Sequence, residues 1–126
     1  LTAHKGDIAL THAITTFIEM GWGVAIPISE SVPYDLIIDD GLGLHKVQVK
    51  YWGGQQVELR SVYSNTTKTV TKNPSEVGYD WLYAYSPTRG QFLVRETMVG
   101  KRSYRPKIAH QIVPPPYLAP TLTAGN

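Results

Sequence analysis

Asp35, Gln48 and Lys50 are the residues whose types and spacing could do chemistry. Gln48 and Lys50 lie two apart in Leu44-His-Lys-Val-Gln-Val-Lys50, where alternation predicts a strand. They share a face with Leu44 and Lys46, while His45, Val47 and Val49 take the other. That face is polar where a plain core strand would be apolar. Asp35 opens Asp35-Leu-Ile-Ile-Asp39, part of an apolar run from Tyr34 too short for a helix and bounded by turn signals. Between the two segments, Asp40-Gly-Leu-Gly43 reads as a hairpin turn, so the antiparallel return brings the polar face back beside Asp35. Oxygen donors beside an ammonium suit attack on a phosphate ester. A hard divalent cation among oxygens activates water and offsets charge at phosphorus, and a lysine orients the nucleophile as an ammonium or deprotonates it as a neutral amine. The pattern alone is unspecific, because many hairpins carry an Asp and a Lys by chance.

The elements that must position these residues are legible from periodicity. From Gly6 to Met20 the apolar residues Ala9, Leu10, Ala13, Ile14, Phe17 and Ile18 recur at spacings of three and four, which predicts an amphipathic helix stopped by Gly21. Trp22–Ile28 has strand character, with Pro27 placing it at an edge or strand end. After Gly53-Gly54 a further strand is expected over Gln55–Tyr63, then a long polar loop over Ser64–Glu76. Such loops are uncommon in compact domains and usually functional. Trp81–Ser86 and Gln91–Arg95 flank Pro87-Thr-Arg-Gly90 as a second hairpin. Residues 113–126, with Pro114, Pro115, Pro116 and Pro120, read as a polyproline-like tail or arm.

With 126 residues the chain is expected to form one domain, large enough to hold a core without staples. It has no cysteine, so disulfides, thiol nucleophiles and thiolate metal sites are excluded. No apolar run is long enough to span a membrane and no signal peptide or lipidation motif is present, so the chain reads as soluble and intracellular. The net charge of +2 hides an asymmetry. Up to residue 59 there are three Lys/Arg against seven Asp/Glu, and from residue 60 nine against three. An acidic half joined to a basic half suits a carboxylate site for metal beside a surface that wants phosphate, or simply two solvated faces.

The order helix, strand, Pro33-Tyr34-Asp35, hairpin, Gln48-Val49-Lys50 resembles the PD-(D/E)XK nuclease superfamily, with Asp35 as its first acid and Gln48-Val-Lys50 in place of (D/E)-X-K. Together with Lys5-Gly-Asp-Ile-Ala9 upstream and with Tyr79-Asp-Trp-Leu-Tyr83 and Gly90-Gln-Phe-Leu-Val94 downstream, it is similar to the bacterial homing endonucleases encoded within group I introns. The likeness covers most of residues 4–112, and Gln in place of the second acid is a feature of that group. It implies an α/β restriction-endonuclease-like core, a mixed sheet with a flanking N-terminal helix, over residues 1–112 with a DNA-binding loop near 64–76, followed by the proline-rich tail over 113–126. It further implies hydrolysis of double-stranded DNA with Mg²⁺ held by Asp35, Gln48 and the Val49 carbonyl, Mn²⁺ as a substitute and Ca²⁺ binding without cleavage. The working unit would be a homodimer or a dimer-of-dimers homotetramer, in the bacterial cytoplasm in association with the nucleoid.

One departure matters. The family usually has a Glu on the first helix where this chain has Leu10, and a leucine cannot ligate metal. Leu10 also fits the apolar stripe, so it marks either a natural degeneration or an engineered change, and it implies impaired catalysis. The residues expected to meet DNA are Arg60, Tyr63, Asn65, Lys68, Thr69 and Lys72 on and beside the polar loop, Arg89 in the second hairpin, and Lys101, Arg102, Arg105 and Lys107 in the basic run. Asp39 and Asp40 are expected to serve the turn, the four histidines to be structural or on the surface, and Trp22, Trp52 and Trp81 to be core or interface. Two other readings stay open: a Holliday-junction resolvase-like nuclease, and a non-catalytic DNA-binding protein on a decayed nuclease fold.

Overall fold

The computed structural model describes residues 4–59, 61–64, 69–72 and 78–112. Helix α1 spans Lys5–Glu19 and ends as expected at Gly21, whose φ of 84° is the left-handed conformation a side chain would resist. The amides of Gly21 and Trp22 return to the carbonyls of Ile18 and Phe17 at 2.9 and 3.1 Å, which satisfies the last turn. The buried face consists of Ala9, Ala13, Thr16 and Phe17, with Leu10 and Ile14 half-buried. Ile18, expected inside, is instead 57% exposed. Thr16 takes the buried slot because its hydroxyl finds a partner across the core, donating to Gln91 Oε1 at 2.6 Å.

Among the described residues nine strands follow: β1 Gly23–Ala25, β2 Leu36–Asp39, β3 Leu44–Tyr51, β4 Val57–Glu58, β5 Ser61–Ser64, β6 Thr69–Lys72, β7 Trp81–Ser86, β8 Gly90–Val94 and β9 Ser103–Tyr104. The main sheet has the order β1-β2-β3-β7-β8. Only the β3–β7 pairing is parallel, so the sheet is mixed. Two expectations are corrected. The segment Gln55–Tyr63 does not form one strand: β4 pairs with β9, whereas β5 pairs with β6. The segment Ser64–Glu76 is not wholly loop, since Thr69-Val-Thr-Lys72 forms β6; its β-branched residues outweigh the polar composition that suggested a loop.

Alternation along the buried strand β7 divides the core between the two sheet faces. Trp81 and Tyr83 join Ala13, Phe17, Leu36, Ile38, Val47 and Leu93 under α1. Leu82 and Ala84 join Trp52, Val57, Leu59, Phe92, Val94 and Met98 on the other side. A strand covered on both faces must be apolar at nearly every position, which is why Trp81–Ala84 shows no polar alternation. Phe17 is fully buried and packs edge-on against Tyr83, with centroids 5.5 Å apart. Truncating such a ring to alanine costs about 3–5 kcal/mol, so this contact anchors the helix to the sheet.

Candidate active site

The β2–β3 hairpin is held by the two aspartates of its turn. Asp39 accepts the Gly41 amide at 2.9 Å, and Asp40 accepts those of Leu42 and Gly43 at 2.8 and 2.9 Å. The backbone bonds to Leu42 and Gly43, together with the nearby His45 ring, hold the Asp40 carboxyl below its usual range even though burial works the other way. Both aspartates therefore serve the turn, as expected. The resulting register pairs Leu36 with Val47, and the Asp35 amide donates to the Val47 carbonyl at 2.9 Å, so Asp35 stands opposite Gln48. Side chains opposite one another share a face, and Gln48 and Lys50 share it by their two-residue spacing.

Asp35 Oδ2 accepts the Gln48 side-chain Nε2–H at 2.9 Å and the Val49 backbone N–H at 2.8 Å. Gln48 Nε2 lies 3.5 Å from the Val49 carbonyl oxygen as well. Oxygens of Asp35 and Val49 thus converge on a single donor, and a half-turn of the amide presents the Gln48 oxygen to the same point. This donor set is all oxygen and carries one charge, which fits a hard cation that keeps most of its waters. Among the described residues no three His, Cys, Asp or Glu side chains gather into a metal cluster.

Burial dominates the electrostatics. It pushes the Asp35 carboxyl above its usual range, against the Val49 N–H and the Lys50 charge, which lower it. It pushes the Lys50 ammonium below its usual range, against the charges of Asp35 and Glu58, which raise it. A half-buried lysine with a depressed pKa is a better proton acceptor than a solvated one. Glu58, on β4, is a residue that sequence spacing did not single out. It comes within electrostatic reach of Lys50 only because β4 folds over this sheet face, and no sequence pattern signals that.

Pro33 precedes the site and packs tightly on Gly78, where an added Cβ would stand 2.5 Å from Pro33 Cγ. Only glycine admits the approach. Leu10 is half-buried against the helix-side core with Ile14, so the position where a carboxylate was expected is filled by packing. Of the expected DNA-contacting residues, Lys101, Arg102, Arg105 and Lys107 are exposed and Arg89 is half-buried. Tyr63, Thr69 and Lys72 fall on β5 and β6. Arg60, Asn65 and Lys68 lie outside the described residues, as does the segment 113–126.

A family model described as PD-(D/E)XK endonuclease matches residues 1–115. The chain belongs to the PD-(D/E)XK endonuclease family. The fold of this PD-(D/E)XK chain is similar to the solved structure of a bacterial homing endonuclease, I-Ssp6803I. The TM-score is 0.65 at 24% identity, over 91% of this chain and 84% of that one. No curated protein sequence matches it. PD-(D/E)XK nucleases generally use divalent metal ions, consistent with the oxygen donors gathered at Asp35. No helix among the described residues is long and apolar enough to cross a membrane.

Proposed function

We propose that this chain is a sequence-specific homing endonuclease acting on double-stranded DNA, with its catalytic rate reduced by leucine at position 10. The observation that supports this reading most is the convergence of Asp35, Gln48, the Val49 carbonyl and Lys50 on one face of the β2–β3 hairpin in this fold. Residues 1–112 form the nuclease domain in this reading, with the proline-rich segment as an appended tail. Asp35, Gln48 and Val49 hold Mg²⁺, Mn²⁺ or a non-productive Ca²⁺; when bound, the cation supplies an activated water and offsets charge at the phosphorus. Asp35 orients Gln48 and fixes the Val49 backbone. Lys50 orients the attacking water and accepts its proton when it is a neutral amine, and Asp35 and Glu58 compensate the charge of the ammonium that results. The exposed basic residues and the β5–β6 region draw in the duplex. Location with the DNA of a bacterial cytoplasm follows from that partner.

One site cuts one strand, so a double-strand break requires at least two chains about a two-fold axis. Selection of bound duplexes from a random pool, followed by cleavage assays with Mg²⁺, tests the reading. A long unique site supports homing, and preference for four-way junctions would replace it with junction resolution. The packed Leu10 favours one second reading, a nuclease that has lost chemistry and keeps binding. That reading stands if a selected duplex is bound and neither this chain nor its Leu10→Glu variant cuts it.

A further inference from the structure

Trp52 lies one two-residue step beyond Lys50 on the chain, and its amide continues the β3–β7 ladder by donating to the Tyr85 carbonyl at 2.7 Å. Gln48, Lys50 and Trp52 therefore point to the same side of the sheet, about 7 Å apart from one to the next. The indole is 2% exposed, wedged against Phe92 with centroids 5.2 Å apart. Two cations sit over it: the Arg89 guanidinium carbon is 4.3 Å from the ring centroid, and that of Arg105 is 5.5 Å away.

Both arginines are held from behind. The Arg89 amide donates to Ser86 Oγ at 3.1 Å and its carbonyl accepts Gln111 Nε2–H at 3.0 Å, which pins the turn between β7 and β8. Arg105 donates Nη1–H to the Gln55 carbonyl at 2.7 Å. Among the described residues no carboxylate pairs with either guanidinium; the ion pairs there join histidines to acids. Among the described residues the buried Trp52 Nε1–H finds no acceptor. Two guanidiniums and an indole N–H are donors only, and two like charges over one ring repel unless an anion joins them. A planar guanidinium fork matches a phosphate by paired hydrogen bonds.

We propose that Arg89 and Arg105, spread over the Trp52 indole, form a second phosphate site that grips the DNA backbone next to the phosphate reacting at Lys50. The backbone carries one charge per 3.4 Å of axis on each strand, so a site one strand step from Lys50 meets a neighbouring phosphate. This role rests on the nuclease reading, whereas the anion site itself does not. By holding the strand in line with Asp35 and Lys50, the pair would position the substrate without touching the reacting atoms.

Two measurements on the full chain separate the claims. In the first, inorganic phosphate is titrated against the three tryptophan indole N–H resonances, with Trp52 assigned by a Trp52→Phe variant. A saturable shift of the Trp52 signal, lost in Arg89→Ala/Arg105→Ala and weakened in Arg89→Lys/Arg105→Lys, is expected. In the second, the salt dependence of duplex binding is compared. The double alanine variant should flatten the slope of log K against log salt by about 0.9, the contribution of one neutralised phosphate. The double lysine variant should keep the slope and lose affinity about tenfold. A shifted indole in a chain that binds no duplex sustains the anion site and overturns the nuclease reading. Duplex binding with an unchanged slope and an unmoved indole overturns the clamp and leaves the nuclease reading in place.

Discussion

Leu10 and Asp35 show opposite compromises between packing and chemistry. In the proposed reading Leu10→Glu supplies the missing carboxylate, and cleavage of a bound duplex with Mg²⁺ should rise about 10²-fold, the scale on which single charge-stabilising groups act. Adding Asp35→Ala should abolish the gain if Asp35 holds the cation as proposed, because groups that share one cation act as a unit. The same Leu10→Glu change should cost about 1–3 kcal/mol of stability, since a half-buried leucine gives up its apolar contacts, and thermal melting would record it. Asp35 is the reverse case. Its folded pKa is raised above the ordinary value of 3.8 by burial, so its contribution to stability is full below that value and is lost as pH rises through the folded pKa. At neutral pH the ionised carboxylate is a burden to the fold in the absence of metal. Asp35→Asn should therefore melt at an equal or higher temperature at pH 7, with the difference closing near pH 3. A markedly lower melting temperature at pH 7 would show that its bonds to Gln48 and Val49 outweigh its desolvation.

At the scale of elements, the helix is joined to the sheet by a polar contact inside an apolar interface. Gln91 Oε1, on β8, accepts the Thr16 hydroxyl at 2.6 Å and the Tyr83 hydroxyl at 2.7 Å. Burial raises the Tyr83 pKa strongly, so it remains a donor over the whole accessible pH range. Gln91→Leu would leave two buried hydroxyls without an acceptor, at about 1–3 kcal/mol each. Chemical denaturation should show a loss of roughly 2–6 kcal/mol, and adding Thr16→Val should recover part of it because one orphan is then removed. Gly78→Ala acts on the other side of the site. Its new Cβ would press on Pro33, two residues before Asp35, and cleavage by the Leu10→Glu background should fall more than its melting temperature does.

For the whole molecule, charge separation sets the expected behaviour on DNA. The acidic first half supplies Asp35 and the turn aspartates, and the basic second half supplies the exposed Lys101, Arg102, Arg105 and Lys107 beside β9. Changing Lys101 and Arg102 together to alanine should flatten the salt slope of duplex binding without altering sequence preference, because phosphate contacts position a protein and carry no base information. Light scattering should report a dimer or tetramer on the selected duplex. A monomer both free and bound would count against double-strand cleavage by paired sites.

The cluster Asp35, Gln48 and Lys50 was legible without coordinates because period-two alternation and a two-aspartate turn determine register locally, and register alone sets which side chains face one another. The helix stop at Gly21 was legible for the same reason: left-handed backbone is a property of one residue. What only the tertiary structure decided was everything that depends on segments distant in the chain. Ile18 lost its place inside to Thr16 because Gln91, far along the sequence, offers an acceptor. Gln55–Tyr63 split because its two parts found different partners in β9 and β6. Glu58 reached Lys50, and Arg89 and Arg105 met over Trp52, through the folding of β4 and the β7–β8 turn across one sheet face. Such contacts are selected by the free energy of burying the whole core, a sum over the entire chain that no local spacing encodes.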